Sequence, residues 1–99
     1  MIARHWRGLV KPGHADRYVE HLRAETFPQL AKLPGFIDAV ILRRETPRGT
    51  EFLIATSGES IEAIQRFSGP DVEVAVVPAT VQPLLIEYDH RARHYDVIR

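Results

Sequence analysis

The stretch 36-FIDAVILRRETPRGTEFLIATSGESIEAIQRF-67 decides the fold. FIDAVILRR is rich in β-branched residues, which suit a pleated surface, and reads as a strand. TEFLIATS, Thr50 to Ser57, has the same character. Between them Thr46-Pro47-Arg48-Gly49 carries the residues of a tight turn, so the two runs predict a hairpin. After Ser57-Gly58 the pattern changes to that of a helix. Ile61, Ala63, Ile64 and Phe67 are available for burial from a short helix over Ser60 to Phe67. Thr56 with Glu59, or Ser57 with Ser60, offers capping contacts at its start. Strand, strand, helix in this order is half of a small α+β domain.

Moving outward toward the N-terminus, Pro34-Gly35 stops a preceding helix. That helix is predicted over 14-HADRYVEHLRAETFPQLAKL-33, with Ala15, Tyr18, Val19, Leu22 and Thr26 at spacings of three and four. Pro28 has no amide hydrogen, so a kink or split is expected near Thr26. Pro12-Gly13 is a turn. Residues 2–10 alternate imperfectly, with Ile2, Arg4, Trp6, Gly8 and Val10 on one side and Ala3, His5, Arg7 and Leu9 on the other. A strand with both sides in use, or one at an interface, has this pattern.

Toward the C-terminus, 71-DVEVAVVPAT-80 fits two periods. Val72, Val74 and Val76 alternate as in a strand, whereas Val72, Ala75, Val76 and Ala79 are spaced as in a helix. Valine loses rotamer freedom in helices, so pattern alone favours a strand. 81-VQPLLIEYD-89 reads as a strand with Pro83 near its start, which marks an edge or bulge. 93-RHYDVI-98 is a last short strand. One antiparallel sheet with helices on one face satisfies the whole order. The chain is expected to form a single domain over residues 1–99. One small chain leaves the second sheet face uncovered, and a second copy packed face to face would cover it. The space between sheet and helices is the expected pocket.

Composition narrows the function. Thirteen basic and thirteen acidic residues cancel, which gives no electrostatic reason to expect a nucleic-acid or anionic-membrane partner. The absence of cysteine excludes disulfides, thiolate metal sites and thiol nucleophiles. No apolar run approaches the roughly 18 residues of a membrane span. MIARHWRGLV carries charges throughout and lacks the apolar centre of a signal peptide, so a cytoplasmic location is expected. Ser57 and Ser60 lack the Gly-x-Ser-x-Gly context, and there is no Walker lysine motif or dinucleotide glycine fingerprint.

Several local features coincide with one family. 4-RHWRG-8, 16-DRYVEHL-22, 34-PGF-36 with 42-LRRE-45, 59-ESIEAIQRFSGPDVEVAVV-77 and 94-HYDVI-98 together resemble the antibiotic-biosynthesis-monooxygenase-like family, in order along nearly the whole chain. The resemblance implies a ferredoxin-like sheet with helices on one face, paired as a dimeric α/β barrel. It implies that 71-DVEVAVV-77 is a short helix, against its propensity, and that the strand around His94 to Ile98 helps complete the dimer. It also implies oxygenation of a small phenol- or quinol-like aromatic without metal or organic cofactor. The same barrel pocket suits a non-oxidative binding protein, or an isomerase or cyclase. Members often carry a Trp-acid-Ser run before the second helix, and an Asn in the pocket. Here the run is 58-GES-60, with Gly58 at the Trp position, and the chain has no Asn.

Trp6 either stacks on a flat aromatic ligand or packs at the sheet and dimer interface. His5 belongs to the opposite face of its strand. Tyr18 belongs either to the core or to a pocket between helix and sheet, and Phe27 beside the kink is a pocket wall. Arg43 and Arg44 face opposite sides, one able to clamp an anionic substrate and the other able to pair with Glu45 or Glu51. Asp38 is a base if it faces the pocket, and otherwise the polar member of an alternation. His94 is an interface residue or a proton-transfer group. His14 and His21, seven apart, read as solvent-facing. Catalysis is therefore assigned to His94, Tyr18 and Asp38, and substrate contact to Trp6, Phe27, Arg43 and Gly58. No metal site is expected, since His90 and His94 are separated by a turn and lack a third ligand.

Overall fold

The computed structural model describes residues 1–99. Strand β1 (Ile2–Val10) leads to α1 (Ala15–His21), a wide π turn (Leu22–Thr26) and α2 (Phe27–Ala31). Strands β2 (Phe36–Thr46) and β3 (Gly49–Gly58) precede α3 (Ile61–Ser68), and β4 (Leu85–Tyr88) and β5 (Arg93–Asp96) close the order. The strands form one antiparallel sheet in the order β2-β3-β1-β4, with β5 also paired to β1. This is a ferredoxin-like α+β arrangement.

The interruption between α1 and α2 falls where proline requires it. Pro28 cannot donate to the carbonyl four residues back at Ala24, and the helix widens over Leu22–Thr26 before α2 begins. The hairpin turn is held by Thr46, whose hydroxyl donates to the Gly49 carbonyl at 2.8 Å. At α3 the cap is Ser60 itself, whose hydroxyl oxygen accepts from the Ala63 amide at 3.2 Å. No helix is long and apolar enough to cross a membrane.

β4 and β5 act as one broken strand along the same edge of β1. β4 pairs at Gly8 to Val10 and β5 at Ile2 to His5. At the break the Asp89 amide donates to the Arg7 carbonyl at 2.9 Å, while the Asp89 carbonyl accepts from the Trp6 indole at 2.8 Å. The core lies between sheet and helices, with Val10 and Phe52 sealed from solvent. Each such side chain contributes about 1.5–3 kcal/mol by its burial.

The segment 71–77 corrects both expectations for it. It is neither a helix nor a strand of the sheet: a turn is followed by irregular chain, with a single bridge from Val74 to Arg91. The reason is where its backbone groups go. The carbonyls of Val72 and Val74 accept from the guanidinium of Arg4, and the Glu73 carbonyl accepts from the Ala92 amide. A helix would have consumed the Val72 and Glu73 carbonyls internally, on the amides of Val76 and Val77. Arg91 adds ion pairs to Asp71 at 3.1 Å and Glu73 at 3.5 Å.

The face of the sheet away from the helices is open. Val40, Leu42 and Tyr95 are 46%, 50% and 49% exposed. Glu51 is held there between Arg7 at 2.6 Å and Arg44 at 2.5 Å. Arg44 thus takes the expected acid across the hairpin, and Arg43 faces the other side.

Candidate functional site

A cavity opens between the helix face of the sheet and the first helical arm. Trp6 from β1, Tyr18 and His21 from α1, and Phe27 from α2 form its walls, with Ile54 and Thr56 on its floor. Val76, Val77, Pro78 and Val81 close another side, so the irregular segment after α3 is structural wall. The volume of the cavity is about 60 Å³. That is room for about four ordered waters.

Trp6 is positioned by its own strand. A Cβ at Gly8 would lie 2.6 Å from the indole edge of Trp6, so only glycine lets the ring lie along β1. The hydrogen bond to Asp89 fixes the other end, and Tyr88 packs at a ring separation of 6.2 Å. Tyr18 packs edge-on against Phe52 at 4.9 Å and is 3% exposed. It serves both core and cavity. Burial holds its phenol well above the usual tyrosine range, and its hydroxyl makes no hydrogen bond within the chain. Tyr18 is therefore a neutral donor waiting for an acceptor.

His21 lines the same cavity, although its spacing in the sequence suggested solvent. Its Nε2 is buried without a partner. The signal was present: His21 lies one turn from Tyr18, three positions on, and so shares its side of the helix.

Arg4 is the second residue that sequence reasoning passed over. It shares a face of β1 with Trp6, is 5% exposed, and lines both this cavity and a smaller adjoining one. Its guanidinium lies 5.7 Å from the Phe67 ring centroid and donates to His94 Nε2 at 3.1 Å. His94 therefore touches Arg4 and is not a wall of either cavity. Its imidazole is held below the usual histidine range, first by burial and then by the charge of Arg4, with Glu73 opposing.

The remaining candidates separate. Phe27 is a cavity wall as expected. Gly58 borders the smaller cavity, which shares Arg4, Leu30, Thr56 and Phe67 with the larger one. Arg43 pairs with Asp16 at 3.4 Å on the exposed edge and lines neither cavity. Asp38 is exposed and pairs in register with Ser57. That register places it on the open face, because Ser57 pairs with Ala3 and Ala3 alternates with buried Arg4. The sheet itself separates Asp38 from the cavity, which corrects its assignment as a pocket base. No three His, Asp or Glu side chains converge.

No protein-family model and no curated protein matches the chain. A solved protein from Bacillus cereus, described as a "putative antibiotic biosynthesis monooxygenase", superposes with a TM-score of 0.68 at 24% identity. The match covers 100% of this chain and 94% of that one. A second, from Deinococcus radiodurans and described in the same words, gives 0.63 at 13% identity, again over 100% and 94% of the two chains. The chain has their fold. The expected ferredoxin-like arrangement is thereby shown over its full length.

Proposed function

We propose that this protein is a cofactor-independent monooxygenase of a small phenol- or quinol-like aromatic. The observation that carries the reading is the cavity itself, where Trp6 and Phe27 offer flat apolar walls beside the unpartnered hydroxyl of Tyr18 and Nε2 of His21. The description of the two structural neighbours supports the same class.

In this reading the ring lies against Trp6, and the protonated Tyr18 donates to the substrate oxygen. His21 takes the phenolic proton, which raises the electron density that the substrate offers to dioxygen. For a quinol the balance closes without an outside reductant. One oxygen atom enters the ring, the other leaves as water, and the substrate supplies all four electrons. The apolar cavity limits water around the reactive anion.

The protein acts as a homodimer in this proposal. The exposed apolar side chains on the open sheet face, Val40, Leu42 and Tyr95, give a second copy a surface to cover.

The test is oxygen uptake with a panel of anthrones and quinols, with label from heavy-isotope dioxygen followed into product. Uptake above the no-protein rate with one labelled oxygen per product is expected. Uptake at the no-protein rate with every member overturns the oxygenase. A second reading, a binding protein or an isomerase or cyclase, draws on the protonated Tyr18, which is suited to hold a carbonyl. Its signature is ligand bound unchanged, or a product of unchanged mass formed under argon.

A further inference from the structure

The groove where the two cavities meet contains a buried positive charge without an acid. Arg4 is 5% exposed, and none of the ion pairs of the chain includes it. Its neighbours are the carbonyls of Val72 and Val74 and the imidazole of His94. An unpaired buried charge is costly, and carbonyl dipoles offset it only in part.

The donor count shows what is left over. A guanidinium has five N–H groups in a planar fork. Nη1 uses its pair on Val72 and His94, and Nη2 uses one on Val74. One N–H on Nη2 and the N–H on Nε remain. Nε is also not among the polar atoms buried without a partner, so it opens on space. Nε with an adjacent Nη is the edge that takes both oxygens of a carboxylate.

Thr56 stands directly across from Arg4 in the β1–β3 register and lines both cavities with it. Its hydroxyl has no hydrogen-bond partner in the chain. A fork and a hydroxyl on neighbouring strands, at the end of an aromatic-walled cavity, describe a receptor for a planar anion joined to a ring. A phosphate dianion would call for more than one cation.

We propose that the Arg4–Thr56 groove binds a carboxylate, and that the natural ligand is an aromatic acid whose ring lies between Trp6, Tyr18 and Phe27. The inference rests on the aromatic cavity proposed above and adds the charged end of its ligand. The ring brings the apolar contact. The carboxylate supplies the counter-charge that the fold omits.

The test uses the full chain and three probes: 2,5-dihydroxybenzoate, its primary amide, and hydroquinone. Trp6 is the sole tryptophan, so its fluorescence reports occupancy, and calorimetry gives the affinities. The carboxylate is expected to bind about tenfold or more tighter than the amide. Arg4→Gln is expected to remove that preference. Thr56→Val, which preserves shape, is expected to weaken the carboxylate about threefold or more and to narrow its preference over the amide. Equal binding of all three probes by the wild type overturns the carboxylate site and leaves the aromatic cavity standing. Binding of none of them overturns both. If Arg4→Gln does not fold, the wild-type series and Thr56→Val still decide. An unchanged carboxylate affinity in Thr56→Val overturns the groove as described.

Discussion

Arg4 and His94 meet at 3.1 Å across the β1–β5 pair, with the guanidinium donating to Nε2. That bond requires the imidazole to be neutral, with its proton on Nδ1, which is buried without a partner. Protonation would set two cations against each other. The folded histidine is accordingly held below its ordinary value of 6.5. The sign follows directly: the unfolded chain binds the proton more readily. The stabilisation is complete above 6.5 and is lost as pH falls through the lowered folded value. Thermal melts of wild type and His94→Gln between about pH 5 and 8 test this. The wild type is expected to lose stability on the acid side more steeply than the variant. Parallel curves would show that His94 does not titrate against Arg4.

Tyr18→Phe isolates the cavity hydroxyl. The ring contact with Phe52 at 4.9 Å is kept, and no internal hydrogen bond is lost. Stability is expected to change by less than about 1 kcal/mol. Loss of a donor to a developing oxyanion is expected to lower turnover by about tenfold or more. Steady-state oxygen uptake beside a denaturant melt separates the two effects. Unchanged turnover removes Tyr18 from the chemistry.

Gly58 is a packing position as well as a cavity border. A Cβ there would meet Ile64 Cγ1 at 3.1 Å and the Gly35 carbonyl at 3.6 Å. Gly58→Trp is expected to push α3 from the sheet and cost about 1–3 kcal/mol or more, as overpacking does. Gly58→Ala is expected to cost less, and Ile64→Ala, which removes Cγ1, to be less costly beside Gly58→Ala than on its own. Denaturant midpoints of the single and double variants measure the coupling. Additive effects would show that the two side chains do not compete for the same space.

Glu51 holds the open face together. Hydrogen bonds from Arg44 and then Arg7 draw its carboxyl down to about 2. A depressed carboxylate stabilises the fold above its ordinary value of 4.5, and that stability is lost as pH falls toward about 2. Glu51→Gln is expected to lower the melting temperature at neutral pH and to flatten the acid limb, more so at low salt because the pair is near the surface. A titration of the Glu51 carboxyl by NMR checks the value directly. A midpoint near 4.5 would refute the network.

Leu42 is 50% exposed at the centre of β2 on the open face. If a second copy covers that face, Leu42→Glu places a charge in the contact and is expected to turn dimer into monomer, since a buried unpaired charge is strongly unfavourable. Sedimentation of wild type and variant over a concentration series gives the answer. A monomeric wild type removes the face-to-face dimer.

The element order was legible in the sequence, because a hairpin turn, two proline breaks and the change of hydrophobic period are local signals. Local signals also placed Arg4 beside Trp6 on β1, and His21 one turn from Tyr18. What they could not give was which neighbours those faces would meet. The segment 71–77 shows why. Its valines favour extended chain, and its course is set by carbonyls that Arg4, 68 and 70 positions away, holds in place. Asp38 shows the same from the other side. Its strand was evident, but the register with Ser57 chose its face. The sequence by itself determined the elements and their order, since those follow from propensity and periodicity within a few residues. The tertiary structure alone decided the cavity, because its walls come from β1, the first helical arm and the chain after α3, and only long-range pairing brings them together.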